Sequence, residues 1–287
     1  MVRKPALLLS LLAVLSFCGC DRLDIGGMFS EHNSVVDTRV QEWINWNNEH
    51  GYPELTVSTD EYCVYACADV HVEGYPRRFA EFVRRSNEDE TSLFYMVLGD
   101  MVKNSDYLHY YQEIMPTVSD TGFCILGNHD LFFKGWEKWG EVFHTSTYYV
   151  LVETPHYTDL FIFLDSGNGT LGLNQLHWLE KVLETKRADC RHCIIGLHHN
   201  IFRTDDSQFS SGNLLLEETY KLVRLFSDYD VNLVLQGHDH WRNVTDFEGV
   251  RYVTLDDLTD GSPNASFLKI EIDATVGHKF IDMGDWK

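Results

Sequence analysis

Short apolar runs alternate with amphipathic stretches along most of the chain, and this alternation predicts its secondary structure. Runs such as "YCVYACA", "SLFYMVL", "FCIL", "CIIGL" and "NLVLQ" have the length and bulk of buried strands. The stretches between them, among them "FAEFVRR", "LNQLHWLEKVLE" and "LLLEETYKLVRLF", carry apolar residues at helical spacing. Strands alternating with helices are typical of an α/β protein.

Two regions depart from this alternation and predict paired strands. Residues 146–164 predict two strands that meet at a turn containing Pro155. Near the end of the chain, "VRYVTLDD", "SFLKIEID" and "KFIDMGD" predict further strands. Antiparallel pairs of this kind beside βα units indicate mixed sheets rather than purely parallel ones.

The first twenty residues have the plan of an export signal. Arg3 and Lys4 precede an apolar run of roughly a dozen residues, which is too short for an ordinary membrane-spanning helix. The ending "FCGC" resembles a loose bacterial lipobox, in which Cys20 becomes the lipidated first residue. A plain secretory signal and an uncleaved anchor remain alternatives, because Phe17 and Cys18 depart from the usual lipobox. We expect an exported, membrane-anchored lipoprotein that faces the periplasm or the cell exterior.

Three segments follow from these patterns. Residues 1–20 are the predicted export or lipoprotein signal, residues 21–58 a helical extension, and residues 59–287 the main domain. Within the extension, residues 34–51 predict one helix, with a capping serine at its start and a terminal glycine at its end. We expect this helix to pack on the main domain.

Charge and cysteine content limit the functions open to the chain. Its 44 acidic against 23 basic residues give a formal charge of -21, so no nucleic acid binding is expected and an anionic substrate needs a local reversal of the field. The cysteines after Cys20 predict buried free thiols, although the CxxC spacing of "CRHC" leaves redox or zinc chemistry open. These cysteines are Cys63, Cys67, Cys124, Cys190 and Cys193.

Polar side chains follow five of the predicted strands at the point where each strand ends. Because ligands bind beyond the carboxyl ends of the strands in α/β sheets, we expect these segments to converge. Two of them have ligand types at positions i and i+2, which point the same way on an extended backbone. Imidazole, carboxylate and amide groups suit a transition metal, although a His-x-His pair alone is more often solvated surface. The residues are Asp69, His71, Asp100, Asn128, His129, Asp130, His198, His199, His238 and His240.

The motifs D-x-H, GD, GNHD, a later His and GHxH occur in this order between residues 60 and 245, and together they resemble those of the calcineurin-like metallophosphoesterase superfamily. The resemblance implies an α/β fold, a four-layer α/β/β/α sandwich with two mixed sheets. It also implies two divalent transition-metal ions, with manganese, iron, zinc and nickel as candidates. One ion is expected on Asp69, His71, Asp100 and His240, and the other on Asp100, Asn128, His198 and His238, with His199 as the alternative to His198.

The activity implied by the resemblance is metal-dependent phosphoester hydrolysis, by a phosphodiesterase or a phosphomonoesterase, with a metal-activated hydroxide attacking phosphorus. His129 is expected to stabilise charge or protonate the leaving group, and Asp130 to orient the His129 imidazole. Two divalent ions outweigh the charges of Asp69 and Asp100, which suits a phosphate-ester substrate. The alternative is an exported binding or scaffolding protein that keeps the fold without turnover.

Departures from subfamily patterns disfavour two classes of the superfamily, and the chain resembles its compact phosphodiesterase-like members more. Lys103 stands where purple acid phosphatases carry a tyrosine, and "GDMVKNS" differs from the GDxxDRG of calcineurin-type protein phosphatases. Loops beside the motifs carry aromatic and basic residues that could either contact a substrate or pack within the loops, and the sequence leaves this open. These residues are Tyr75, Arg77, Arg78, Phe132, Phe133, Trp136 and Lys138.

Overall fold

The computed structural model describes residues 35–110, 121–202 and 213–284. No helix in these ranges is long and apolar enough to cross a membrane. The helices are α1 (Val35–His50), α2 (Arg77–Glu88), α3 (Gly135–Phe143), α4 (Gly172–Lys186) and α5 (Leu216–Asp228). The strands are β1 (Glu54–Thr56), β2 (Tyr62–Cys67), β3 (Ser92–Leu98), β4 (Thr121–Ile125), β5 (Tyr148–Glu153), β6 (Thr158–Leu164), β7 (Cys193–Leu197), β8 (Leu233–Gln236), β9 (Asn243–Phe247), β10 (Val250–Thr254), β11 (Ser266–Ile272) and β12 (Val276–Asp282).

The strands form two mixed sheets, as predicted. The larger sheet has seven strands in the order β1-β5-β6-β7-β8-β10-β9, and the smaller has five in the order β12-β11-β2-β3-β4. The parallel strands β6, β7 and β8 lie at the centre of the first sheet, and β2, β3 and β4 run parallel in the second. The predicted strand pair around Pro155 is β5 and β6, which pair antiparallel.

Alternate residues of each central strand face different layers, which makes the fold a four-layer α/β/β/α sandwich. In β3, Phe94 and Met96 point into the core between the sheets, whereas Tyr95 and Val97 point to the core under α1 and α2. Strands of the larger sheet likewise divide between the inter-sheet core and the core under α4 and α5. Both faces of each sheet are therefore covered, which explains why the strands appear in the sequence as continuous apolar runs.

Backbone hydrogen bonds join the loops that follow these parallel strands. Within the smaller sheet, the Asp69 amide donates to Gly99 and the His71 amide donates to Asp100. In the larger sheet, the Gly237 amide donates to His198. The His238 amide, after β8, donates to Asp69 Oδ2, after β2, and so brings the carboxyl ends of the two sets of parallel strands to one edge. The predicted polar residues lie at this edge.

The predicted N-terminal helix is confirmed as α1, and it belongs to the core of the main domain. Its residues Val36, Val40, Trp43 and Ile44 are buried in the same cluster as the smaller sheet. Arg39 forms a buried ion pair with Asp165, with its Nε 2.8 Å from Oδ2. A buried ion pair compensates for the lost hydration of its charges only when its geometry is good, as it is here. The pair therefore holds α1 on the loop after β6. The segment boundaries at residues 20 and 58 stay predictions.

All five cysteines in the described ranges are buried and free, which confirms the expectation of buried thiols. Burial raises the pKa of Cys190 to about 11 and that of Cys193 to about 12. Thiols held in the protonated form are poor nucleophiles and poor metal ligands. Burial and the raised pKa values favour a structural role for the cysteines of "CRHC".

Breaking the Arg39–Asp165 pair should destabilise the whole domain. Arg39→Met leaves the Asp165 carboxylate buried without a cation, and we expect the free energy of unfolding to fall by about 3–5 kcal/mol. The double variant Arg39→Met/Asp165→Asn should recover part of this loss, because neither charge remains. Arg224→Met, which removes an exposed pair with Asp228, is the control and should cost less than about 1 kcal/mol. Urea unfolding that gave equal losses for Arg39→Met and Arg224→Met would contradict the anchoring role.

Candidate metal centre

The seven predicted metal ligands lie together at the shared edge of the two sheets. Each lies on a loop directly after β2, β3, β4, β7 or β8. Histidine and carboxylate ligand atoms within 4.8 Å of one another form four overlapping groups. These groups are His198 with His199 and His238; Asp69 with His71 and His240; His71 with Asp100 and His129; and Asp69 with Asp100 and His198.

Five of the predicted ligands have left-handed backbone conformations, with φ between 48° and 75°. They therefore do not continue the extended strands, and the prediction that the i, i+2 pairs share a face through extended geometry is wrong. Both residues of each pair reach the site because each one turns sharply. Non-glycine residues rarely adopt this conformation, and such strain concentrates at functional sites. The five are Asp69, His71, Asp100, His238 and His240.

Asp69 and Asp100 each accept a backbone amide with one of their two carboxylate oxygens. Asp69 Oδ2 accepts the His238 amide at 2.9 Å, and Asp100 Oδ1 accepts the His129 amide at 2.7 Å. Asp69 Oδ1 is buried and finds no hydrogen-bond partner in the described part of the chain. An orphaned carboxylate oxygen in a buried site is costly unless a cation completes it. These residues therefore fit a metal ion.

The first predicted metal group surrounds Asp69 Oδ1. His240 Nε2 lies 3.4 Å and His71 Nε2 3.9 Å from that oxygen. The two Nε2 atoms are 3.1 Å apart, and His71 Nε2 is also 3.7 Å from Asp100 Oδ2. Four donor atoms thus face one small volume, as the sequence predicts for the first ion.

The second predicted group surrounds His198 Nε2. This atom lies 3.5 Å from Asp100 Oδ2, 3.3 Å from Asn128 Oδ1 and 3.3 Å from His238 Nδ1. His198 Nδ1 lies 2.8 Å from the carbonyl oxygen of Leu98, and donation to that oxygen leaves Nε2 as the ligating atom. Asp100 Oδ2 faces both groups.

His199, the alternative to His198, occupies a different position. Its ring lies 4.2 Å from the ring of His238, and its Nδ1 is buried with no hydrogen-bond partner among the described residues. Burial lowers the pKa of His199 far below its usual value. The contacts of Asp100 and Asn128 are with His198, so the geometry favours His198 as the ligand.

Electrostatics inside the cluster are dominated by the buried carboxylates. Burial raises the pKa of Asp100, but the charges of His198 and His71 outweigh it and hold the pKa well below its usual range. Burial lowers the pKa of His198, yet Asp100 and Asp69 outweigh this effect and raise it to about 9. Burial and the neighbouring His198 lower the pKa of His238 to about 4. The cluster thus combines a carboxylate of low pKa, Asp100, with one histidine of raised pKa, His198, and one of lowered pKa, His238.

The predicted role of Asp130 is wrong. Its carboxylate accepts the backbone amides of Gly127, Met101 and Val102 at 2.8–3.3 Å and does not hold the His129 ring. His129 Nδ1 instead lies 3.0 Å from the carbonyl oxygen of Lys103. Burial and the charge of Asp100 raise the pKa of Asp130 to about 7. Asp130 therefore fixes the two ligand loops to each other, and Lys103 orients His129.

Several residues that support the site were missed in the sequence. Ser166 Oγ accepts the amides of both His198 and His199, at 3.0 and 2.9 Å. Asp239 accepts the side-chain amides of Asn200 at 2.6 Å and Asn213 at 3.1 Å. The only sequence feature that could have indicated these supporting residues is their position, because Ser166 follows β6 and Asp239 lies inside the GHxH motif.

Four of the seven loop residues left open by the sequence fall into two groups. Arg78 bonds the carbonyl oxygens of Thr259 and Ser262, and Lys138 pairs with Asp106, so both are engaged within the fold. Tyr75 and Phe133 are exposed, at 63% and 61% of their surface. Of the aromatic residues in this set, these two are the most exposed.

Comparison with known proteins identifies the class. A model of the calcineurin-like phosphoesterase family matches residues 64–242, more than half of the chain. The chain therefore belongs to the calcineurin-like phosphoesterase family, and the predicted superfamily is confirmed. Divalent metal ions are typical of this family. No curated protein sequence matches the chain.

Solved structures share the fold at low sequence identity. Purple acid phosphatase PPD1 from yellow lupin (Lupinus luteus) has 14% identity and a TM-score of 0.61, covering 83% of this chain and 53% of the lupin chain. GAP50, the anchor in the inner membrane complex of Plasmodium, has 15% identity and a TM-score of 0.58, covering 80% and 87%. PhoD has 10% identity and a TM-score of 0.58, covering 81% and 70%. This chain spans about half the length of the lupin enzyme.

The tight packing around Gly127 allows the site geometry to be tested by a single substitution. A Cβ at Gly127 would lie 2.2 Å from both the amide nitrogen and Oδ1 of Asp100, so the loop must move. We expect Gly127→Ala to weaken metal binding by roughly tenfold or more in Mn²⁺ titration calorimetry. Gly140→Ala is the matched control, since a Cβ there meets nothing within 4 Å and should even stabilise α3 by up to about 1 kcal/mol. Equal metal affinities for the two variants would disprove the packing argument.

Proposed function

We propose that this protein is a phosphoester hydrolase that uses two divalent transition-metal ions, manganese, iron, zinc or nickel. The observation that carries the proposal is the position of Asp100 Oδ2, which lies 3.7 Å from His71 Nε2 and 3.5 Å from His198 Nε2. An oxygen between two separate sets of donors suits a bridge between two ions. Membership of the calcineurin-like phosphoesterase family supports this assignment.

The residues that would hold the ions are those predicted from the sequence. Asp69, His71, Asp100 and His240 would hold one ion, and Asp100, Asn128, His198 and His238 the other. When bound, such a pair supplies Lewis-acid polarisation of a phosphoryl oxygen and lowers the pKa of water. The acidic chain thereby gains a locally positive pocket for a phosphate ester.

His129 is the residue that would handle a proton at the leaving group. Its Nδ1 is directed to the Lys103 carbonyl oxygen, so Nε2 is the ring atom left for a substrate. The ring packs edge-on against His71, 4.6 Å between centroids, which places it beside the first metal group. A positioned imidazole in this place can donate a proton to a departing alkoxide.

Substrate preference between phosphodiesters and phosphomonoesters follows from the space around the two ions rather than from the ligands. Tyr75 and Phe133 are exposed, and we propose that they contact substituents of the ester. The alternative function, an exported binding or scaffolding protein without turnover, would not need the placement of His129 beside the first predicted metal group. Export and lipidation at Cys20 are part of this proposal.

Asp100→Asn tests the bridging role. Loss of the shared anionic oxygen should remove at least one of the two metal equivalents, measured by elemental analysis, together with nearly all hydrolysis of bis(p-nitrophenyl) phosphate. His278→Ala on β12 is the control, because this histidine lies outside every ligand group. Two retained metal equivalents and wild-type turnover in Asp100→Asn would refute the dinuclear proposal.

His129→Ala separates metal binding from proton transfer. We expect close to two metal equivalents to remain, while kcat falls by roughly 10²–10⁴ on esters with a poor leaving group. The loss should be smaller for a nitrophenolate, which departs without protonation. If His129→Ala empties the metal centre instead, His129 is a ligand and its assigned role is incorrect.

A further inference from the structure

An apolar surface patch lies where three helices begin, and none of its residues takes part in the metal centre. Its members are Val35 at the start of α1, Leu173 at the start of α4, and Leu215, Leu216 and Tyr220 at the start of α5. Their exposures range from 38% to 58%. Large aliphatic and aromatic side chains grouped in this way on a surface usually mark an interaction site.

Close contacts hold the starts of α1 and α4 against each other. A Cβ on Gly172 would meet Asp37 Oδ1 at 2.7 Å and Val36 Cγ1 at 3.2 Å, so α4 begins directly against α1. Asp37 Oδ1 also accepts the Asn174 amide at 2.8 Å. These contacts hold the helix starts that carry Val35 and Leu173 against each other.

The start of α5 is fastened to the same turn. The Leu215 amide donates to Gly169 at 3.3 Å. Glu218 accepts the Leu171 amide with both carboxylate oxygens and the Thr170 hydroxyl at 3.2 Å. Because Glu218 is turned inward, Leu216 and Tyr220 at i and i+4 form the outer face of the first turns of α5. The starts of α1, α4 and α5, which carry the patch residues, are thus fastened to one another.

The patch also borders the metal centre. Asn213, two residues before Leu215, donates from Nδ2 to Asp239 Oδ1 at 3.1 Å, and Asp239 lies between the ligands His238 and His240. Helices α4 and α5 both follow strands whose carboxyl ends form the site edge. Whatever covers the patch therefore lies beside the mouth of the metal centre.

The chain leading into α1 indicates what covers the patch. Residues 6–17 are an unbroken run of apolar residues and serines, followed by Cys20, and residues 21–34 join them to Val35. A segment of that length spans roughly 20 Å as a flexible chain and at most about 50 Å when extended. Any bilayer that holds Cys20 or the apolar run is within reach of the patch.

We propose that the patch formed by Val35, Leu173, Leu215, Leu216 and Tyr220 docks on a zwitterionic lipid bilayer and turns the edge bearing the metal centre toward the membrane surface. Aliphatic side chains would enter the boundary of the acyl region, and the Tyr220 ring suits the headgroup level. The formal charge of -21 disfavours an anionic surface, which is why the partner is zwitterionic. The inference rests on membrane attachment of the N-terminus and not on hydrolysis.

The test places an environment-sensitive fluorescent amino acid at position 216 of the full chain, reconstituted in phosphatidylcholine vesicles with and without brominated acyl chains. We expect a blue-shifted emission and at least twofold quenching by the brominated lipid. The same amino acid at position 244 is the control, because Val244 is also apolar and exposed but lies on β9, outside the patch. Its emission should not respond.

A second variant tests the patch without touching the metal centre. In Leu215→Glu/Leu216→Glu, a probe at position 220 should lose its quenching while the melting temperature stays within a few degrees, because the replaced side chains are exposed. Equal emission at positions 216 and 244 in vesicles, or failure of the full chain to associate with vesicles, overturns the proposal. Shielding of position 216 without vesicles also overturns it, indicating a second copy if the effect depends on protein concentration and the N-terminal segment if it does not.

Discussion

Burial of two carboxylates at the edge where the sheets meet is the constraint on which the site depends. Asp69 and Asp100 are 0% and 2% exposed, and an ionised carboxylate in such a place is unstable unless hydrogen bonds and cations compensate it. Each carboxylate satisfies one oxygen with an amide from a neighbouring ligand loop. The other oxygen attracts imidazoles, which accounts for the raised pKa of His198. The need to neutralise these two charges therefore organises both the loops and the ligand set.

The N-terminal helix α1 also supports the site, although the sequence predicts it as an extension separate from the main domain. Arg39 of α1 holds Asp165, and the next residue, Ser166, accepts the amides of His198 and His199. Two adjacent residues after β6 thus connect the helix to His198, a predicted ligand, and to its neighbour His199. A helix that appears from its position to be an extension is, in its contacts, part of the support for the site.

The predicted ligands and the residues that support them differ in how far the sequence reveals them. His71 or His238 can be predicted as a ligand from its residue type and from its place after an apolar run. The partner of Asp130 cannot, because adjacency to His129 suggests a contact that the turn prevents, while its actual partners include Met101 and Val102. Ser166 and Asp239 are equally hidden, since their contacts join segments far apart in the chain. The left-handed backbone of the ligands is a product of the same tertiary packing.

That left-handed backbone restricts which residues could replace the predicted ligands during evolution. Histidine, asparagine and aspartate adopt this conformation more often than other non-glycine residues. Replacing His71, His238 or His240 with cysteine or glutamate would therefore cost backbone energy at each of the three positions. Leu98, Lys103 and Ser166, which form hydrogen bonds to His198 or His129, do not have this conformation and meet no such constraint.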